Sequence, residues 1–269
     1  MTGRTKRTAP AIQAMKAAGE KIAALTAYDV MTARLLDEAG VDVLLVGDSA
    51  AMVVLGYENT LPVSLDAMLV LTAAVARAKP LALVVGDMPF MSYQASAADA
   101  VRSAGRMVKE GGAEAVKLEG GRKIVPAVRA VIEAGIPVMG HIGLTPQSIH
   151  EFGGYRVQGK TDDARARLLD DAAALEEAGC FSMVLEAMPW ELAKEVTEAV
   201  SIPTIGIGAG PHCDGQVLVV NDILGYVTGR TPKFVRSYGD TRSVVAEAAR
   251  GFVRDVKDGS YPTLDESYS

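Results

Sequence analysis

Short apolar runs alternate with amphipathic segments along most of the chain, and the two carry different periods. Eight runs are nearly continuously apolar: Ile22 to Thr26, Val43 to Gly47, Leu81 to Gly86, Ala115 to Glu119, Pro137 to His141, Ser182 to Glu186, Pro203 to Gly208 and Val217 to Val220. Parallel strands buried on both faces read in this way. Between them, segments 29–39, 98–110 and 163–178 repeat apolar residues at three- and four-residue intervals, the spacing of one helix face. The residues are Leu35, Leu36 and Ala39, then Val101, Ala104, Met107 and Val108, then Leu168, Leu169, Ala172 and Leu175. Asp29 and Asp163 are suited to cap the first and third of these helices. Pro189 suits a first helical position, with Leu192, Val196 and Ala199 on one face, and Thr241 to Lys257 predicts a last amphipathic helix.

A recurring element punctuates the pattern: Glu38-Ala-Gly-Val-Asp42, Glu110-Gly-Gly-Ala-Glu114, Glu133-Ala-Gly-Ile-Pro137 and Glu177-Ala-Gly-Cys-Phe181. Glycine just beyond a helix closes its last turn in the left-handed conformation, so these are helix stops placed directly before strands. Eight strands alternating with helices predict an α/β fold, a (β/α)8 TIM barrel with its active site at the C-terminal strand ends. A doubly wound open sheet is the alternative, because strand order in space is not written in strand order along the chain. Residues 1–269 are expected to form a single barrel domain with a short N-terminal extension and a polar C-terminal tail after Asp258.

Composition narrows the function classes. With 49% hydrophobic and 22% charged residues in 269 positions, the chain can bury a large core without a staple. The net charge of −6 comes with scattered Lys and Arg, which lacks the footprint of a nucleic-acid binder. Cys180 and Cys213 have neither metal-ligand spacing nor the density of a disulfide scaffold, which fits a reducing cytoplasm. The basic N-terminus is not followed by an apolar stretch, and no run approaches the roughly eighteen apolar residues of a membrane span. A cytoplasmic protein with no membrane and no nucleic-acid partner is expected.

Five apolar runs end in an ionisable residue: Asp48, Asp87, Glu119, His141 and Glu186. Alone, Asp48 or Asp87 could cap the next helix. Two carboxylates brought together at strand ends repel each other unless a cation lies between them, and an oxygen-rich donor set favours a hard ion such as Mg2+ over zinc. Lys117 and Glu119 are two apart on one strand and so face the same side, either as a buried structural ion pair or as an anion-holding lysine beside a metal-shell carboxylate. His141 is either a hydrogen-bonded core residue or a pocket residue, with Gly140 and Gly143 leaving room for a ligand. His150 and His212 carry no assigned chemistry. Glu186 is either a first-turn residue favoured by a helix dipole or a general base at the mouth of an apolar strand. The segment Ile205-Gly-Ile-Gly-Ala-Gly210 can cradle a phosphate or simply permit close packing.

The stretches Gly47-Asp-Ser-Ala-Ala-Met-Val-Val-Leu-Gly-Tyr57, Lys117-Leu-Glu-Gly-Gly121, Gly140-His-Ile-Gly-Leu-Thr-Pro-Gln-Ser148, Phe152-Gly-Gly-Tyr-Arg-Val-Gln-Gly159 and Gly206-Ile-Gly-Ala-Gly-Pro-His-Cys-Asp-Gly-Gln216 closely resemble the ketopantoate hydroxymethyltransferase family. The likeness runs from about Thr26 to Tyr238. It implies a (β/α)8 barrel that transfers a one-carbon unit from 5,10-methylenetetrahydrofolate to 3-methyl-2-oxobutanoate, giving 2-dehydropantoate in pantothenate biosynthesis. By resemblance, Asp48 and Asp87 match Mg2+-binding aspartates and also line the substrate site, and Glu119 matches the third acidic residue at the metal. Ser49 and Lys117 match substrate-binding positions, His141 a polar residue of the same pocket, and Glu186 the proton acceptor. The resemblance also implies a homo-oligomer, often a decamer. Two departures stand out: Ala50-Ala51 where Leu-Gly is common, and Gly86 where Ala is common.

The implied chemistry agrees with the residue inventory. A ketone C–H is far weaker as an acid than a carboxylic acid, and each pKa unit of mismatch costs about 1.36 kcal/mol. A Mg2+-stabilised enolate narrows that gap, since a Lewis acid takes up the charge that moves onto oxygen. Two rivals remain: a Mg2+-dependent lyase or aldolase acting on 2-oxo acids without folate, and a non-catalytic ligand-binding oligomer, which would lack a metal or base residue.

Overall fold

A computed structural model of the protein describes residues 4–226 and 231–269; the first three residues of the expected N-terminal extension lie outside them. The chain forms two compact units, residues 1–219 and 220–269. In the first, β1 (Ile22–Thr26), β2 (Val43–Val46), β3 (Leu83–Asp87), β4 (Ala115–Glu119), β5 (Val138–Gly143), β6 (Ser182–Glu186), β7 (Thr204–Ile207) and β8 (Gly215–Leu218) pair in chain order and close into a parallel barrel. The eight predicted runs are these eight strands, and the open sheet is excluded because β1 pairs with β8.

Alternation along each strand builds the interior. Ile22, Ala24, Val43, Leu45, Leu83, Val85, Ala115, Met139, Val184, Ile205 and Val217 form one buried cluster, joined by Ala9, Ile12 and Met15 from the helix Ala9–Ala17. The same two-residue period carries Leu83 and Val85 on to Asp87, Ala115 on to Lys117 and Glu119, Met139 on to His141, and Val184 on to Glu186. The interior is therefore apolar near the strand starts and ionisable at the strand ends.

The helix stops behave as expected: Gly40, Gly112, Gly135 and Gly179 all have positive φ, between 72° and 98°. Helix faces and caps differ in detail. In Val30–Glu38 the buried residues are Ala33 and Leu36, whereas Leu35 and Ala39 are exposed. Ala100, rather than Val108, joins Ala104 and Met107 in Ala97–Lys109. Asp29 caps its helix as predicted, but Thr161, not Asp163, caps Asp162–Glu177 through the Ala164 N–H. Pro189 is the cap residue of Trp190–Ala199 rather than its first helical position, and Ala199 is exposed while Leu192, Ala193, Val196 and Thr197 are buried. The helices Ala9–Ala17, Leu65–Ala76 and Val125–Glu133 were not separately foreseen.

In the second unit the predicted last helix spans Thr241–Asp258, capped by the Asp240 side chain on the Ser243 N–H and closed by Gly259 at φ 78°. No described helix is long and apolar enough to cross a membrane.

Two strand glycines predict unequal responses to alanine. Gly143 has φ 95°, and a Cβ there would lie 2.2 Å from the Glu186 carbonyl oxygen. Gly143→Ala is expected to cost at least about 1–3 kcal/mol through backbone strain and to displace Glu186. At Gly86 the nearest obstacle is the flexible end of Met107, Cε at 2.4 Å, so Gly86→Ala should cost about 1 kcal/mol or less. Urea unfolding midpoints of the two variants check the contrast; equal losses would refute it.

Candidate active site

The ends of β2 to β6 converge on one buried group of charges. Asp87, Lys117, Glu119 and His141 stand on β3, β4 and β5, while Asp48 sits two residues beyond β2; all five are between 2 and 5% exposed. Register explains the meeting: Asp87 lies beside Lys117, Glu119 beside His141, and Gly143 beside Glu186. Asp48, Asp87 and Glu119 each turn an oxygen into a space where these atoms lie within 4.8 Å of one another. Lys117 Nζ donates to Asp87 Oδ1 at 2.6 Å and to Glu119 Oε1 at 3.3 Å. The Asp48 N–H donates to Asp87 Oδ2 at 3.2 Å. Asp87 thus completes a charge network, and neither aspartate serves as the simple helix cap that each allowed alone.

His141 bridges this group to Glu186. Its Nδ1 lies 3.3 Å from Glu119 Oε1 and its Nε2 3.2 Å from Glu186 Oε2. Neither approach has the direction of a hydrogen bond, so these are charge contacts. Glu186 ends β6 inside the barrel row, not in the first turn of a helix, and its side chain is 17% exposed. Ser49 is half-buried, with its Oγ 2.8 Å from the Tyr28 hydroxyl.

Burial and mutual repulsion set the protonation pattern. Burial pushes the Asp48 carboxyl well above the usual carboxylate range, and Asp87 and Glu119 push it further. Burial also raises Asp87, although Lys117 opposes it. Burial acts the same way on Glu119, but there Lys117 and His141 prevail and hold it at about 2. Burial and Lys117 both disfavour charge on His141, yet Glu119 and Glu186 raise it to about 9. Lys117 stays charged because Asp87, Glu119 and Asp48 outweigh its burial.

Sequence reasoning missed Tyr93, Gln147 and Tyr155. The Tyr93 hydroxyl accepts from the Glu119 N–H at 3.0 Å and donates to Gln147 Oε1 at 2.8 Å. Gln147 lies within a stretch already singled out, but nothing in its residue type signalled a partner 99 positions away, where its Nε2 meets Asp48 Oδ2 at 3.0 Å. The Tyr155 hydroxyl, 3.7 Å from Met52 Sδ, is raised by burial and by the field of Asp48, Glu186 and Glu119. Beside the cluster lies a cleft of about 770 Å3 whose walls include Glu119, Gln147, Tyr93, Phe90, Arg122 and Arg167.

The glycines resolve toward packing. A Cβ on Gly140 would meet Leu175, and one on Gly143 would meet Glu186, so protein fills the room reserved for a ligand. In the 205–210 loop, Gly206 packs against Cys213 and Gln216, and Gly210 against Trp190.

The ketopantoate hydroxymethyltransferase family model matches residues 6–264. The chain belongs to that family. It is 57% identical over 264 residues to a 3-methyl-2-oxobutanoate hydroxymethyltransferase of Geobacter metallireducens, covering 98% of this chain and 99% of the relative. It is 53% identical to the enzyme of the same name from Moorella thermoacetica over the full length of both. Among solved structures, a phosphonopyruvate hydrolase complexed with oxalate and Mg2+ aligns with TM-score 0.63 at 14% identity, covering 97% of this chain and 93% of that one. A 2,3-dimethylmalate lyase aligns with TM-score 0.58 at 17% identity, covering 97% and 91%. These two share the fold alone.

The protonation pattern predicts proton–cation competition. Asp48 and Asp87 have folded-state pKa values above the ordinary 3.8, so they favour the metal-free fold fully below 3.8 and lose that contribution as pH rises through their raised values. A divalent cation needs them deprotonated, so its affinity should rise with pH, by up to about tenfold per unit for each proton displaced. Calorimetric titration of metal-free protein with MgCl2 across pH 5 to 8 tests this; a pH-independent affinity would contradict it.

Proposed function

We propose that the chain transfers a hydroxymethyl unit from 5,10-methylenetetrahydrofolate to 3-methyl-2-oxobutanoate, giving 2-dehydropantoate for pantothenate biosynthesis, with Mg2+ at Asp48, Asp87 and Glu119. The observation that carries this reading is the buried three-carboxylate group with a single lysine and Glu186 at its edge. The residues fit the ion: three hard oxygen donors gather around one point, and one ammonium cannot neutralise all three. When bound, Mg2+ supplies Lewis acidity, drawing charge toward the oxygens of a chelated 2-oxo acid and easing loss of its C3 proton.

The chain's own groups then divide the work. Lys117, kept charged in the interior, holds the substrate carboxylate, with Ser49 and His141 as further polar contacts. Glu186 takes the C3 proton, and the C–H electron pair becomes the new double bond of the enolate. His141, held protonated, fixes the Glu186 carboxylate by charge at 3.2 Å. Water hydrolyses the donor's methylene bridge, both C–N bonds breaking as the two water protons pass to the donor nitrogens and tetrahydrofolate leaves; the enolate carbon bonds to the released one-carbon aldehyde, and the proton held by Glu186 passes to its oxygen, the new hydroxyl. The adjoining cleft has room for this larger second reactant.

We place the enzyme in the cytoplasm as a homo-oligomer. The helix Thr241–Asp258 supports assembly, since Val244, Val245, Phe252, Val253 and Val256 are all exposed on it; a decamer follows from family resemblance only.

Deuterium exchange at C3 of 3-methyl-2-oxobutanoate in D2O with Mg2+, read by NMR first without the donor and then with it, tests the reaction. Exchange by the wild type, its loss by about 10²-fold or more in Glu186→Gln, and product only with the donor are expected. Undiminished exchange in Glu186→Gln would remove Glu186 from its role. Exchange with no donor-dependent product would favour a lyase or aldolase.

A further inference from the structure

Both side-chain polar atoms of Gln147 and its backbone N–H are hydrogen-bonded at the acidic group. Its Nε2 donates to Asp48 Oδ2 at 3.0 Å and to the Met88 carbonyl at 2.9 Å. Its backbone N–H donates to Glu119 Oε2 at 3.0 Å. Its Oε1 accepts from the Tyr93 hydroxyl at 2.8 Å and from Gln94 Nε2 at 3.0 Å. The residue is 5% exposed, and it touches two carboxylates that arrive from opposite ends of the cluster's sequence span, β2 and β4.

We propose that Gln147 is a positioning residue for the divalent cation, fixing the carboxylates of Asp48 and Glu119 within the group where oxygens of Asp48, Asp87 and Glu119 lie within 4.8 Å of one another. The inference rests on the Mg2+ reading above. The network determines which way the amide points. A flipped amide would set Oε1 against Asp48 Oδ2 and the Met88 carbonyl, two acceptor–acceptor contacts, and would turn Nε2 toward the Gln94 amide nitrogen. In the observed orientation Gln147 occupies Asp48 Oδ2, and Asp48 Oδ1 has no hydrogen bond among the described residues. One oxygen is tethered and the other is left for the ion. On Glu119 the backbone N–H of Gln147 tethers Oε2, while Oε1 faces Lys117 and His141. Tyr93 supports the arrangement from behind, because its hydroxyl anchors both Gln147 Oε1 and the Glu119 backbone.

The residue type matters as much as the place. A glutamate here would add a fourth carboxylate to the cluster, and an apolar side chain would leave Asp48 Oδ2 without its donor in a site where unpaired buried polar atoms are costly. An amide supplies two donors and an acceptor with no net charge. Gln147 meets the cluster through Asp48 and Glu119, so its effect should be read in metal affinity.

The test uses full-length protein stripped with EDTA and titrated calorimetrically with MgCl2, alongside melting in EDTA. Gln147→Met keeps the volume and the backbone N–H but removes the amide; Tyr93→Phe removes the hydroxyl that anchors it. Outer-shell hydrogen bonds of this kind are worth about 10–100-fold in metal affinity. Gln147→Met is expected to bind Mg2+ weaker by that range, with a smaller loss in Tyr93→Phe. Wild-type affinity in Gln147→Met would overturn the assignment. If Gln147→Met does not fold, Tyr93→Phe decides: unchanged affinity overturns the assignment and weakened affinity upholds it. If the wild type itself takes up no Mg2+, the metal reading falls and the assignment with it.

Discussion

The site is organised by a charge imbalance: one buried ammonium, Lys117, faces three buried carboxylates. Taking charges out of water costs several kcal/mol each, and a buried pair breaks even only with close contacts and satisfied hydrogen bonds. Lys117 meets those terms with Asp87 at 2.6 Å and partly with Glu119 at 3.3 Å. Asp48 receives only an amide donor on one oxygen. The fold thereby ranks its acids, with Glu119 held at about 2 while Asp48 and Asp87 are pushed up. With all three carboxylates ionised, such a group lacks two positive charges against Lys117, and protons on Asp48 and Asp87 relieve that deficit at low pH.

The barrel makes this tolerable by separating the imbalance from the core. A closed parallel sheet pairs every strand, and its interior rows alternate strictly, so one row can pass from Val85 to Asp87 or from Ala115 to Lys117 and Glu119 without leaving the lumen. The apolar layers lie toward the strand starts, where Ile12 and Met15 of the first helix join them. The charged layer lies at the last residues of the strands, where the segments that follow them supply polar partners such as Tyr93 and Gln147. Stability and chemistry thus occupy different levels of the same strands.

That separation also explains what the sequence made legible. Strands were visible because buried parallel strands are apolar throughout, and their ionisable ends were visible because a charge at the close of such a run has few structural uses. That Lys117 and Glu119 face the same side followed from their two-residue spacing alone. Helix faces were less secure: Leu35 and Ala39 fit the spacing yet are exposed, because a three-to-four period leaves the choice between adjacent faces to tertiary packing. Gln147 and Tyr93 were not legible. They sit in loops after β5 and β3, where polar residues are ordinary, and only closure of the barrel brings them to Asp48 and Glu119. Gly140 and Gly143 were read as space for a ligand; the structure fills that space with Leu175 and the Glu186 backbone, a packing demand that no local pattern encodes.

His141 ties the two halves of the site together. Its imidazole stands between Glu119 and Glu186, at 3.3 and 3.2 Å. Because neither contact is directional, the ring holds both carboxylates by charge rather than by a fixed hydrogen-bond axis. Lys117, the Gln147 N–H and the Tyr93-anchored backbone tie Glu119 from three further sides. The ring therefore joins a deeply buried, multiply tied carboxylate to Glu186, whose side chain is 17% exposed.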